Sequence, residues 1–422
     1  MSLQYARASL ARASLDACVK CTICETQCPV VQVTDLFTGP KFVGPQAERF
    51  RAGEPVDHSL DYCSGCSICT TSCPHGVKIA EINAQARAVM KADRMPLRDR
   101  LITETILEGK LLTPLAPIAN TALRMRAVRL AIELTIGVHR NAPMPTAQPK
   151  TFMSWYREHK KHRDAVLGAD YVAPFGPVVY FHGCAGGYFE VATSKATVEV
   201  LEYLGFDVLV PKQGCCGLAH QSNGLFNRAE SQVKKLARQL ASAGKDLPEG
   251  GHLPIIASSG SCGGMLRHEA REIMGVDDPV VDDVGARVVE LSEFIVEVMD
   301  AGCFPLEDLR HWDITIPYHQ PCQVKSQGIG KPAIRMMETI PGVTVVESGV
   351  ACCGIAGTYG LKKEKYEIAQ RVGKPLFDMI KETNPRLAAC ETDTCRWQIR
   401  AGTDATVVHP VQIIHRALGL AD

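Results

Sequence analysis

Two stretches of this chain read C-x2-C-x2-C-x3-C-P without deviation. They are Cys18, Cys21, Cys24, Cys28 and Pro29, then Cys63, Cys66, Cys69, Cys73 and Pro74. Three thiolates two residues apart on a tight loop reach three irons of one cube, after which the chain turns into a helix. The fourth cysteine, expected on that helix, points at the other cluster. The spacing therefore predicts one 4Fe–4S cluster on Cys18, Cys21, Cys24 and Cys73, and a second on Cys63, Cys66, Cys69 and Cys28. Structural zinc on C-x2-C pairs would use the same eight sulfurs. Repetition of the whole spacing, with proline after each copy, favours iron cubes.

These eight belong to 18 cysteines in 422 residues, too sparse for a small disulfide scaffold and spaced for metal. Lys+Arg and Asp+Glu both number 46, which gives no case for a nucleic-acid partner. Met1 to Ala17 has two arginines but no apolar stretch, so no signal peptide is read. No run approaches the roughly 20 apolar residues that span a bilayer. We expect a protein of the reducing cytoplasm or of the cytoplasmic face of the inner membrane.

The second half is duplicated. His182-Gly183-Cys184, Cys215-Cys216-Gly217-Leu218-Ala219 and Ser258-Ser259-Gly260-Ser261-Cys262 form the first copy. His319-Gln320-Pro321-Cys322, Cys352-Cys353-Gly354-Ile355-Ala356 and Thr392-Asp393-Thr394-Cys395 form the second, roughly 135 residues later. Val288-Val289-Glu290-Leu291 corresponds to Val407-Val408-His409-Pro410. Apolar runs at Pro177–Phe181, Asp207–Val210 and Pro254–Ala257 precede the cysteines of copy one; Ile314–Ile316, Val343–Val346 and Leu387–Ala389 precede those of copy two. Helical stretches such as Lys195 to Leu204 and Arg228 to Ala243 intervene. Strands alternating with helices predict a parallel sheet in each lobe, with the cysteine loops at its carboxyl edge. Each lobe should thus gather four thiols in one place. Cys303 and Cys390 read as small buried hydrophobes. His182 and His319, two and three residues before their cysteines, suit either a role beside a metal ligand or a core position.

These residues resemble the CCG family, the cysteine-rich domain of heterodisulfide reductase and its relatives. The whole chain is similar to iron–sulfur subunits of flavin-linked dehydrogenases acting on glycerol 3-phosphate, glycolate or lactate. Gly39-Pro40-Lys41, Thr113-Pro114-Leu115-Ala116-Pro117-Ile118, Gly357-Thr358-Tyr359-Gly360 and Cys395-Arg396-Trp397-Gln398-Ile399 add to the likeness. The resemblance implies a multidomain chain: a mainly helical ferredoxin domain with two 4Fe–4S clusters (1–110), a connector (111–170) and two α/β lobes with parallel sheets (171–305 and 306–422). It also implies iron–sulfur ligation by Cys184, Cys215, Cys216 and Cys262, and by Cys322, Cys352, Cys353 and Cys395. Full CCG motifs carry a fifth cysteine; Ser259 and Thr392 stand in its place. The cluster type stays open, with Cys390 near enough to replace a ligand. The missing cysteine counts against thiol–disulfide chemistry.

No G-x-G-x-x-G opening a βαβ unit and no P-loop is present. Clusters carry single electrons whereas hydroxyl oxidation removes two, so a flavoprotein partner must oxidise the substrate. No catalytic residue is expected here. Electrons would pass from that flavoprotein towards membrane quinone. In the connector, Leu123, Ala127, Leu130, Ala131 and Leu134 fall on one helical face, opposite Arg126, Arg129 and Glu133. Beyond Ala142 to Pro149 come Trp155-Tyr156-Arg157 and His159 to Arg163. This segment suits a membrane-interface helix or a helix packed on the protein with a solvated charged face.

Overall fold

Apolar runs bounded by glycine or proline become the strands of two sheets. Strands β1 (Pro177–Phe181), β2 (Asp207–Leu209), β3 (Ile255–Ala257) and β4 (Val288–Glu290) lie in the order β2-β1-β3-β4. Strands β5 (Ile314–Tyr318), β6 (Val343–Glu347), β7 (Leu387–Ala389) and β8 (Thr406–Val408) repeat that order as β6-β5-β7-β8. Every pairing is parallel, with Val178 opposite Val208 and Thr315 opposite Thr344. A parallel sheet is covered on both faces, which is why Val178 to Phe181 is a continuous apolar run. The expected parallel α/β lobes are present. β4 and β8 are the matched segments at Val288 and Val407, whose repetition was legible although their strand character was not. This computed structural model describes residues 9–51, 54–91, 95–168, 170–245, 247 and 252–421. The first eight residues of the stretch read as lacking a signal peptide lie outside them.

The lobes do not bury wholly separate cores. One apolar cluster takes Tyr180, Leu201 and Ile256 from the first lobe and Ile316, Met336 and Ile414 from the second. Burying side chains of this size contributes about 1.5–3 kcal/mol each. Helix Val191–Tyr203 packs on helix Pro410–Ala417, where Thr193 donates to Gln412 Oε1 at 3.2 Å and His415 Nε2 lies 2.7 Å from Glu199 Oε2. Arg396, fully buried on helix Asp393–Thr403, pairs with Glu190 of the first lobe at 3.3 Å and with its own Asp393 at 2.5 Å. Arg400 and the Trp397 ring N–H also bind Glu190, each at 2.7 Å. The Cys-Arg-Trp-Gln-Ile segment of the sequence is therefore a clamp between lobes.

The described residues between 9 and 91 fold as short helices and one longer one, Ile79–Lys91. They dock on both lobes. Arg87 donates to Ser222 O at 3.0 Å and Leu60 O at 3.3 Å. Tyr359 donates to Tyr62 O at 3.0 Å, and Lys365 pairs with Asp61 at 2.9 Å.

The connector departs from expectation. An extended Met125 splits the anticipated helix into Ala116–Arg124 and Arg126–Thr135, so Leu123 lies on a different helix from Ala127. Arg129 turns inward and is buried, donating to Arg140 O at 2.7 Å and His139 O at 3.2 Å. Ala127, Leu130, Ala131 and Leu134 consequently face outward, Leu134 being 75% exposed. The basic-aromatic stretch behaves differently, because helix Phe152–Leu167 packs on the first lobe. Tyr156 is buried and donates to Val208 O at 2.6 Å, while Arg163 pairs with Asp207 at 3.1 Å. Among the described residues no helix is long and apolar enough to cross a membrane.

Candidate metal centres

The two N-terminal motifs fold alike. Each puts its third cysteine, Cys24 or Cys69, on a one-turn helix, Ile23–Thr26 or Ile68–Thr71. The fourth cysteine, Cys28 or Cys73, lies just past that helix rather than on it, which corrects the sequence expectation. Left-handed residues recur at matched positions, Lys20 and Thr22 in one motif, Gly65 and Ser67 in the other. Non-glycine residues hold this conformation only where the surroundings impose it, and here it curls the loop around the thiols. Folding also brings cysteines of the two motifs close together. Cys18 and Cys73 act on Cys24, while Cys63, Cys66 and Cys28 act on Cys69. Burial pushes the Cys24 thiol up to about 11 and the Cys28 thiol up to about 12. Four thiols in each set are the donors that a 4Fe–4S cluster requires, and a bound cation would displace their protons, so the donor set fits an iron cluster.

The two sets differ in exposure. Cys21 is exposed, Cys18 and Cys73 are half-buried and Cys24 is buried, whereas Cys28, Cys66 and Cys69 are buried and Cys63 is half-buried. Cys28 and Cys66 share an apolar cluster with Cys352 of the second lobe, against which Cys63 and Cys322 also pack. One set therefore faces the surface and the other faces the lobes.

In each lobe the first cysteine follows β1 or β5, the adjacent pair follows β2 or β6, and the last follows β3 or β7. These are neighbouring strands at the point where strand order reverses, the usual ligand crevice of such sheets. The glycine of each Cys-Cys-Gly explains the motif. Gly217 and Gly354 have φ of +88° and +91°, and a Cβ there would lie 2.8 Å from Ala229 O and 2.0 Å from Ala369 O. Their amides donate back to Cys215 Sγ and Cys352 Sγ, both at 3.4 Å. Hydrogen bonds from Cys184 and Cys216 hold the Cys215 thiol well below its ordinary value; Cys322 and Cys353 do the same for Cys352. Cys216 Sγ lies 3.3 Å from Cys262 Sγ.

The lobes differ in their histidines. His182 Nδ1 is 2.6 Å from Gly183 O, and its ring lies edge-on to Phe152, a core position. His319 instead joins Cys353 and Cys395, their ligand atoms all within 4.8 Å of one another, with its Nδ1 3.1 Å from Ser348 Oγ; in both histidines Nε2 is buried without a hydrogen-bond partner. Cys390 is fully buried behind Cys395, as expected of a core residue. Cys303 is exposed, contrary to expectation, because it follows the solvent-facing turn that ends helix Leu291–Asp300.

The eight lobe cysteines do not form two isolated pockets. All of them line one cavity of about 630 Å³, together with Cys66, Ser259 and Thr392. Leu101 and the connector residues Leu111, Leu123 and Ile136 complete its wall. Sequence patterns placed the thiols at strand ends, but only the docking of lobe on lobe joins them. Glu108 and Glu269 also line the cavity and were not anticipated.

Comparison with known proteins supplies the family. Residues 14–77 match a 4Fe-4S dicluster domain, and residues 178–267 and 316–400 each match a cysteine-rich domain of the CCG family. The chain is 34% identical to the C subunit of anaerobic glycerol-3-phosphate dehydrogenase from Escherichia coli K12, over 96% of this chain and 99% of that one. It belongs to that family. Similarity extends to the glycolate oxidase iron-sulfur subunit of E. coli K12, 26% identical over 98% of this chain and 97% of that protein. It extends also to the D subunit of dihydromethanophenazine:CoB–CoM heterodisulfide reductase from Methanosarcina barkeri, 26% identical over 63% and 65% of the two chains. As a member of the family the chain is an iron–sulfur electron-transfer subunit of an oxidoreductase, and its dicluster domain carries two 4Fe–4S clusters.

Proposed function

We propose that the chain takes electrons from a flavoprotein dehydrogenase that oxidises glycerol 3-phosphate and delivers them to a quinone held in the shared cavity. The substrate assignment draws on the glycerol-3-phosphate dehydrogenase relative, which matches over nearly its full length. One observation carries the acceptor assignment: thiols of both lobes and Cys66 of the buried ferredoxin set line a single cavity walled by apolar connector side chains. An apolar, ring-shaped acceptor suits that wall, and clusters at its floor supply single electrons when bound.

In this reading Cys18, Cys21, Cys24 and Cys73 hold the surface cluster, where the flavoprotein docks beside exposed Cys21. Cys28, Cys63, Cys66 and Cys69 hold the inner one. Cys184, Cys215, Cys216 and Cys262 bind iron in the first lobe, and Cys322, Cys352, Cys353 and Cys395 in the second. Outward-facing Ala127, Leu130, Ala131 and Leu134 rest on the cytoplasmic face of the inner membrane, the source of a lipid-soluble acceptor. Buried Arg129 holds that helix in place through the carbonyls it satisfies.

The test is to purify the complex anaerobically and supply glycerol 3-phosphate, glycolate or lactate with a short-chain naphthoquinone. Quinone reduction driven by glycerol 3-phosphate alone supports the reading. Glycolate- or lactate-driven reduction reassigns the partner, and reduction of an organic disulfide in place of quinone reassigns the acceptor.

A further inference from the structure

A quinone becomes a hydroquinone only by taking two protons as well as two electrons, so a cavity that reduces one needs a proton source. Glu269 stands there. It lines the cavity, is 2% exposed, and accepts a hydrogen bond from Gln221 Nε2 at 3.3 Å. Gln221 and Gln323 line the same cavity, and neither is a titratable group. From the helix Ile79–Lys91 packed against it comes Glu81, which is buried and accepts from Thr70 Oγ1 at 2.6 Å. From its own helical segment comes Glu272, about two-fifths exposed and paired with Lys78 at 3.2 Å. Glu81 and Glu272 both raise Glu269, and Glu272 raises Glu81, so the three carboxyl groups cluster at the seam between the ferredoxin domain and the first lobe.

We propose that Glu269 is the proton donor to the acceptor in this cavity, refilled from solvent through Glu272 and Glu81. The proposal rests on the quinone reading above. Each electron arriving from the reduced iron–sulfur centres is matched by one proton. Over two cycles both C=O π bonds of the quinone are lost, two O–H bonds form, and Glu269 regains a proton after each transfer. Its chemistry suits the task, because burial pushes this carboxyl up to about 8, with Glu81 and Glu272 adding to the shift. It therefore carries a proton at neutral pH, as a donor must. Burial likewise raises Glu108, on the connector wall, to about 7, with Glu104 adding to it, so Glu108 is the natural competitor for the role.

Glu269→Gln keeps the size and neutrality of the protonated side chain and removes only the exchangeable acid. With reduced methyl viologen as donor to the anaerobically purified protein, we expect its naphthoquinone kcat to fall about 100-fold. Its KM, its ferricyanide reduction (one electron, no proton), its iron content and its reduced-state paramagnetic resonance spectrum should stay as in the wild type. Glu269→Asp should recover part of the lost rate. Wild-type kcat should fall as pH rises through about 8, the value of Glu269, and that inflection should be absent from the glutamine variant. Undiminished quinone reduction by Glu269→Gln, or loss of the pH inflection in Glu108→Gln instead, overturns the assignment. A wild-type protein that reduces ferricyanide but no quinone overturns the acceptor reading itself, a different failure.

Discussion

The two lobes share a strand order, a Cys-Cys-Gly turn and a set of four cavity-lining thiols, yet they are not equivalent. In the first lobe His182 is turned into an aromatic core; in the second His319 sits with Cys353 and Cys395. The first lobe ends β3 on Ala257 and Ser258, whereas the second ends β7 on Ala389 and a buried Cys390. The second lobe alone shares an apolar cluster with Cys66 of the ferredoxin domain. Duplication preserved what builds the scaffold, and divergence is concentrated where the second lobe meets the ferredoxin domain. That asymmetry sets the second lobe's Cys322 and Cys352 against Cys28, Cys63 and Cys66 of the ferredoxin domain.

The largest expected effect comes from breaking the joint between lobes. Arg396→Ala leaves Glu190 and Asp393 buried beside one remaining cation, Arg400, and should cost about 3–5 kcal/mol. Anaerobic urea denaturation would check this; a loss below 1 kcal/mol would mean the lobes are held by their apolar core alone. Next come the paired glycines. Gly354→Ala meets Ala369 O at 2.0 Å and should cost about 3 kcal/mol, whereas Gly217→Ala meets Ala229 O at 2.8 Å and should cost about 2 kcal/mol. The order of the two midpoints is the sensitive readout, and a reversed order contradicts the geometry.

A smaller effect concerns pH. Burial raises Glu290 of the first lobe and Glu391 of the second to about 8, with the charge of Glu391 adding to the shift of Glu290 and that of Cys390 to the shift of Glu391. Tyr318 donates to Glu391 Oε1 at 2.5 Å. Raised carboxyls stabilise the fold fully below the unfolded value of about 4.3, and that stability is lost as pH rises through about 8. Melting temperature should therefore drop by several degrees between pH 6 and 9, on the scale of about 2–4 °C per kcal/mol. Glu391→Gln should flatten the drop; parallel profiles would contradict it. The smallest effect on stability, and the most specific, is in the histidines. His319→Ala should alter the resonance spectrum of lobe-bound iron while His182→Ala leaves it unchanged, and equal changes would erase the asymmetry.

Much of this was legible in the sequence for a physical reason. Ligand spacing along a loop is local, so the crossed ferredoxin sets could be read from Cys18 to Cys73. Buried parallel strands are short apolar runs, so six of the eight announced themselves. What escaped depends on long-range docking. The shared cavity forms only when two sheets and the connector meet. Glu269 sits in Arg267-His268-Glu269-Ala270-Arg271-Glu272, a stretch that reads as an ordinary charged helix face. Arg129 looked solvent-facing because the carbonyls it satisfies lie 10 to 13 residues further along the chain.

The inner ferredoxin cysteines and the second lobe share one buried contact around Cys66, Cys322 and Cys352. Paramagnetic resonance of the anaerobically reduced protein tests it most directly. Spin–spin splitting is expected between the inner cluster and lobe-bound iron, which His182→Ala leaves intact and Cys66→Ser removes. Independent, unsplit signals, or lobes that purify without iron, would contradict it.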